Sequence, residues 1–321
     1  MQSSSPVYLY LKITFIKLTY LLPYIDYPSI MRVDLHIHSK YSLDGEVEVC
    51  EIIRLSIKAG LSTISITDHD TTEAYHHLPK DPPLEIITGV ELTTTFKGIT
   101  VHLLGYFMDP FHPELIECMK RLSEARREQA EGRALRLRQL GFEFSDRDIE
   151  RYSDGRVPVG PIFGMAILNN PANDRDERLL PYRKGGSRSK APFYYFDKDF
   201  LQEGKPAYYP VERISTDDAI HLILNIKGVP VLAHPGEKYH YDDPGGDIKD
   251  MVDAGLCGIE VYSSYHTGEQ SVGFLKLARK YDLVPTAGSD FHGPKVKPHI
   301  VLGDISSDYN IVEKLRARKS K

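Results

Sequence analysis

Short apolar runs recur along this chain, and most are followed by a segment of helical period. Val33, Leu35 and Ile37 alternate with Asp34, His36 and His38, the period-2 pattern of a strand. Residues 46–59 place apolar side chains at helical spacing and stop at Gly60. Strands are expected over 62–67, 84–88 and 99–105. The rhythm returns after residue 211, with helices over 217–227, 248–254 and 268–281. Strands over 229–233, 257–262 and 284–287 alternate with them. Repeated strand–helix units imply a mostly parallel sheet, closed as a barrel or open.

Between 109 and 210 this rhythm breaks. Residues 113–140 read as one long charged helix ending at Gly141, and the remainder is rich in turn signals such as Asn169-Asn170-Pro171. The expected organisation is a βα domain built from 31–108 and 211–321, interrupted by a mainly helical insert over 109–210. Residues 1–30 stand apart. Their apolar run is interrupted by Lys12 and Lys17 and closed by Pro23 and Asp26, so it falls short of the roughly 18 apolar residues of a membrane span. They read as a dispensable extension ahead of Met31, with a weak membrane-surface anchor as the alternative.

Composition limits the chemistry. Three cysteines in 321 residues, Cys50, Cys118 and Cys257, are too few and too scattered for a disulfide framework or a thiolate metal site. They fit a reducing, cytoplasmic setting. Thirteen histidines are available instead. The net charge of −5 argues against a broad basic surface for nucleic acid.

On a strand, residues i and i+2 share a face, so His36 and His38 can reach one ion. Other candidate ligands fall at or near the ends of expected strands, where parallel α/β folds place their active sites. Asp44 lies just beyond the first strand and Asp68-His69-Asp70 directly after the second. Glu91 follows the third and His102 sits within the fourth, while His234, Asp290 and His292 follow later ones. Eight or nine N/O ligands exceed what one ion needs. A cluster of two or three divalent ions with bridging carboxylates is expected, and Mn²⁺, Fe²⁺ and Zn²⁺ all suit such a donor set.

The strings Asp34-Leu35-His36-Ile37-His38-Ser39, Thr67-Asp68-His69-Asp70-Thr71, Ala233-His234-Pro235-Gly236 and Ser289-Asp290-Phe291-His292-Gly293 resemble motifs of the PHP (polymerase and histidinol phosphatase) superfamily. The resemblance spans about residues 32–303 and is strongest to stand-alone nucleotide phosphoesterases. These act on nucleoside 3′,5′-bisphosphates and, in some members, on the 5′ ends of short RNA. It implies a distorted seven-stranded β/α barrel with a trinuclear metal site. Carried over by position, the ligands are His36, His38, Asp44, His69, Glu91, His102, His234, Asp290 and His292. The resemblance implies one ion on His36, His38, Glu91 and Asp290, a second on Glu91, His102 and His234, and a third on Asp44, His69 and His292. A water activated at the first two would attack phosphorus, with no side-chain nucleophile. Asp68 and Asp70 suit either an orienting role or simple turn chemistry.

The insert supplies candidates for substrate binding. Arg126, Arg133 and Arg136 belong to a basic run on the long helix. Such a run reads either as a solvated face or as an anion funnel. Lys205 and Tyr208 resemble a substrate-contacting segment of the family, and Glu260, Tyr262 and His266 follow another strand. Where family members often carry Gly-Arg-Pro-His, this chain reads Val159-Gly160-Pro161-Ile162, so Arg156 is the candidate substitute. A small phosphorylated nucleotide is the expected substrate, with short RNA as a further candidate and no membrane or obligate protein partner. The alternatives are a histidinol-phosphate-type phosphatase and a nucleic-acid-processing or binding module.

Overall fold

The computed structural model describes residues 31–319 apart from 244 and 295, so the expectation for 1–30 lies outside the described residues. The chain opens with β1 (Arg32–Ile37), α1 (Val49–Lys58), β2 (Leu61–Ile66), β3 (Glu85–Phe96) and β4 (Ile99–Tyr106). Helices α2 (Pro113–Gln139), α3 (Asp146–Ser153), α4 (Gly160–Leu168) and α5 (Pro192–Phe200) follow. The chain then returns through β5 (Ile214–Ser215), α6 (Thr216–Asn225), β6 (Val229–Leu232), α7 (Asp247–Asp253), β7 (Gly258–Ser263), α8 (Gly268–Lys280), β8 (Val284–Gly288), β9 (Ser307–Asp308) and α9 (Asn310–Arg318).

The strand order is β8-β7-β6-β4-β3-β2-β1-β9, with β5 against β3. Closure comes from the segment after β8. The Asp290 amide donates to the His36 carbonyl and the His38 amide to the Phe291 carbonyl, both at 2.8 Å. The result is a distorted β/α barrel in which β5 and β9 add only two residues each. Val33, Leu35, Leu104, Tyr106, Val231 and Ala287 form one apolar layer of it. Buried Tyr106 donates from its hydroxyl to the Leu35 carbonyl at 2.9 Å, fastening β4 across to β1.

Most strand pairs are parallel, as expected, with an exception at β4 and a longer β3. β4 runs antiparallel to both β3 and β6, so the sheet is mixed. Lys97 and Gly98, at φ 46° and 86°, form a two-residue hairpin loop between the paired Phe96 and Ile99. β3 is also longer than expected, so Glu91 lies inside it rather than after it. His102 therefore reaches the site from the early half of an antiparallel strand.

α2 ties the barrel to the segment over 109–210. His112 caps its start, with Pro113 in the first turn. Its first turns send Leu115, Cys118, Met119 and Leu122 into the largest barrel cluster. Its later turns send Ala130, Ala134 and Leu137 into a separate cluster with Phe142, Phe163, Leu179 and Phe196. At Gly132 the helix has no side chain because the Tyr209 ring lies there; a Cβ would stand 2.1 Å from it. One helix of 27 residues, about 40 Å long, thus carries the core of the 109–210 segment and packs against the returning chain at Tyr209.

Candidate metal centre

Glu91 is the hub. Oε2 lies 3.2, 3.1 and 3.1 Å from nitrogens of His36, His38 and His69. Oε1 lies 3.0 and 3.1 Å from nitrogens of His102 and His234. Five imidazoles on one fully buried carboxylate come from β1, the β2 exit, β4 and the β6 exit. Asp290 Oδ1 stands 3.1 Å from His38 Nε2 and 3.4 Å from His36 Nε2. Asp44 faces His292 at 3.2 Å and His69 at 3.8 Å.

The donor set fits divalent ions. The Nε2 atoms of His36 and His38 approach to 3.1 Å. Two neutral imidazoles meeting through lone pairs repel, whereas ~3.0–3.4 Å is the ligand–ligand edge around an ion with bonds near ~2.1 Å. Glu91 Oε2, His69 Nδ1 and His102 Nδ1 are buried without a hydrogen-bond partner. Such atoms are costly unless something else engages them. Three groups of ligand atoms come close enough to share an ion: His36, His38, Glu91, Asp290; His38, Asp44, His69, His292; and His69, Glu91, His102. His38 and His69 thus each stand in two groups. His234 joins through Glu91.

Surrounding carboxylates orient the ligands. Glu260 accepts from His36 Nδ1 at 3.1 Å and from the His234 amide at 2.7 Å. This is the carboxylate–histidine arrangement that fixes a metal-binding tautomer. Asp68 takes the Ser39 amide and hydroxyl, both at 2.6 Å, steadying the loop that carries Asp44. Asp70 accepts from the Thr93 amide at 2.7 Å and from Arg126 at 2.6 Å. Lys297 holds the outer oxygen of Asp290 at 2.5 Å and donates to the Tyr265 hydroxyl at 2.8 Å.

Electrostatics favour the ligand forms of the acids. Burial works to raise Glu91, but its interactions with the facing His69, His36 and His102 imidazoles outweigh it and hold the carboxyl well below its usual range. Burial pushes His69 well down, leaving the neutral imidazole that binds metals. His38 is lowered by burial yet driven up to about 9 by Asp290 and Glu91. Metal-free protein therefore holds a proton where an ion would bind. Loading at pH 7 should release protons, and apparent affinity should fall as pH drops. A titration in weak buffer measures this; pH-independent affinity with no proton release would contradict it.

Gly288 admits the packing behind His36, since a Cβ there would lie 2.2 Å from His36 Cβ and 2.7 Å from Glu260 Oε1. Gly288→Ala should cost about 1–3 kcal/mol and weaken metal binding, by denaturant unfolding and metal analysis. Unchanged stability would show that the backbone yields there.

The expected substrate residues part company. Arg126 is on Asp70 and Thr93 beside the metal centre. Arg133 is close enough to Arg126 and Arg213 for mutual repulsion. Arg136 donates to the Tyr208 carbonyl, and Arg156 to carbonyls of the Asp44 loop. Lys205 is exposed and Tyr208 half-buried. His266 spends both nitrogens on backbone, donating from Nδ1 to the Val261 carbonyl and accepting the Gly236 amide on Nε2, each at 2.9 Å. Three residues escaped notice or weight: Arg213, Lys297 and Glu260. Only Glu260 left a signal, a lone carboxylate inside the apolar run Gly258–Ser263.

Known proteins resemble this chain over most of its length. The PHP domain pattern matches residues 34–145. The chain is 29% identical over 270 residues to a 3′,5′-nucleoside bisphosphate phosphatase of Chromobacterium violaceum, covering 82% of this chain and 88% of that one. It is 28% identical over 281 residues to the 5′-3′ exoribonuclease Rnm of Salmonella typhimurium, covering 84% and 87%. The fold matches an amidohydrolase structure from Chromobacterium violaceum with a TM-score of 0.72 and 26% identity, over 90% of this chain and 97% of that one. Residues 34–145 thus match the PHP domain, in a chain similar over most of its length to a nucleotide phosphatase and an exoribonuclease.

Proposed function

We propose that this PHP-domain phosphoesterase hydrolyses phosphate monoesters of small nucleotides, nucleoside 3′,5′-bisphosphates in particular, using two to three divalent ions. The observation that carries the reading is Glu91, met by five histidines, with a strip of arginines beginning beside it. Divalent ions held by His36, His38, Glu91 and Asp290, by Glu91, His102 and His234, and by Asp44, His69 and His292 would supply an activated water and neutralise charge on the phosphoryl oxygens. Mn²⁺, Fe²⁺ and Zn²⁺ all fit these ligands. The chain's own task is positioning. Glu260 holds His36 and the His234 backbone, Asp68 holds the Asp44 loop, and Lys297 fixes Asp290.

Arg126, Arg133 and Arg213 bring three guanidiniums together at the insert side, with Tyr208 beside them. Burial lowers both Arg133 and Arg213; repulsion from neighbouring guanidiniums adds to it. The Nε atoms of Arg133 and Arg213 are buried and unpartnered. Asp70 and Asp197 offset only part of this charge. An anion beyond the metal centre satisfies both the charge and the orphaned donors, which favours a substrate with two phosphates.

The test is a substrate panel with Mn²⁺: adenosine 3′,5′-bisphosphate, adenosine monophosphates, short 5′-phosphorylated RNA and histidinol phosphate. Arg213→Ala should raise KM for the bisphosphate about 10–100-fold and that for a monophosphate much less, since a charge-assisted hydrogen bond is worth about 1.5–3 kcal/mol. Equal losses on both would detach Arg213 from the second phosphate. A preference for histidinol phosphate would overturn the nucleotide reading. Stepwise 5′-end degradation of RNA would move it to an exoribonuclease with the same centre.

A further inference from the structure

Asp44 differs from the other candidate ligands. They lie on strands or within a few residues of strand ends, whereas Asp44 sits on the loop between β1 and α1. Its side chain is 38% exposed, against 0–3% for Glu91, Asp290 and His292. The Lys40 amide on the Val47 carbonyl closes this loop on itself, and from the barrel side it is held by Asp68 on Ser39 and by the Glu46 amide on the His292 carbonyl at 3.2 Å. Gly45 is pressed so close that a Cβ would meet the Ser39 carbonyl oxygen at 1.9 Å.

The insert reaches the same loop. Nη1 of Arg156 donates to the Gly45 carbonyl at 2.8 Å and to the Ser42 carbonyl at 3.3 Å. These two carbonyls bracket Asp44 in sequence. Arg156 is itself set in place. It follows Asp154 and Gly155, at φ 52° and 76°, which turn the chain back after α3. Its Nε donates to the Ser153 carbonyl at 3.3 Å. A guanidinium donates only, stays charged and holds a fixed fork, so it suits two convergent carbonyls. Ser42 carries the link inward, its hydroxyl lying 3.1 Å from both Asp44 Oδ1 and His38 Nδ1.

We propose that Arg156 is a positioning residue for the metal position formed by Asp44, His69 and His292, so that the insert sets occupancy of that position through the Asp44 loop. This rests on the three-position reading above. It moves Arg156 from a substrate contact to a fastening of the most exposed ligand. The other positions, built on Glu91, meet it only indirectly, through the Ser42 hydroxyl on His38, so their dependence on it is smaller.

The test is metal analysis and calorimetric Mn²⁺ titration of the full chain and of Arg156→Ala and Arg156→Lys. Wild type should bind three ions. Arg156→Ala should keep two with affinities changed by less than about threefold and bind the third 10–100-fold more weakly, the range seen when partners of metal ligands are removed. Arg156→Lys should recover part of that loss, and the melting temperature of all three chelator-treated proteins should agree. Three ions in wild type with an unchanged third affinity in Arg156→Ala would overturn the proposal alone. A uniform weakening of all ions, or a lower metal-free melting temperature, would make Arg156 merely structural and also overturn it. Two ions in wild type would overturn the three-position reading and this proposal together.

Discussion

Glu91→Gln should lower kcat/KM about 10³-fold or more while leaving the chain folded. The substitution keeps the shape and replaces one carboxylate oxygen with an amide. That amide must then face either the His102 and His234 nitrogens or those of His36, His38 and His69. Either way one side of the centre loses its shared ligand and meets N–H groups instead of a lone pair. Metal stabilisation of transition-state charge is worth several kcal/mol, and each ~1.4 kcal/mol is a factor of ten. Metal analysis of the variant should find fewer ions than in wild type. Activity within tenfold of wild type at full metal content would show that Glu91 is not the shared ligand.

Removing the metals should cost the protein much of its stability. Glu91 Oε2, His69 Nδ1 and His102 Nδ1 are buried and close to one another yet make no well-aligned hydrogen bond, and the centre crowds His36 against His38. Ions bound to the folded state alone stabilise it by about 2.7 kcal/mol each at a hundredfold excess over Kd. With an unfolding entropy of about 2.1 cal/mol/K per residue, a kcal/mol moves the Tm of a chain this size by about 1.5 °C. Chelation should therefore lower Tm by about 4 °C per tightly bound ion, and added Mn²⁺ should restore it. The same Tm with and without chelator would mean that no ion is held at this centre in the folded protein.

Much of this was legible in the sequence because strands and helices announce themselves by period. The runs that become β1, β2, β6, β7 and β8 alternate or are wholly apolar, and a chemically reactive residue follows nearly every one. All nine residues singled out as ligands stand in one cluster. What the local pattern did not convey is direction. Residues 84–105 look like two more strands of a parallel sheet, yet too few residues separate them for a crossover helix. Lys97-Gly98 was the clue, since that pair admits the positive φ of a two-residue hairpin. Reading it would have reversed β4 and lengthened β3 past Glu91. The partners of Arg156 were beyond reach for a different reason. Arg156 meets the Asp44 loop from over a hundred positions away in sequence, and no periodicity encodes such a contact. Glu260 lies between these cases, because a carboxylate within an apolar strand implies a buried partner without naming it.

The most direct test of the central claim is phosphate release from adenosine 3′,5′-bisphosphate by chelator-stripped protein as Mn²⁺ is added back. A rate that starts at baseline, rises to saturation with bound metal in wild type, and stays at baseline in Glu91→Gln is the predicted result. Phosphate release that is independent of metal, or no release at any metal concentration, would contradict the account.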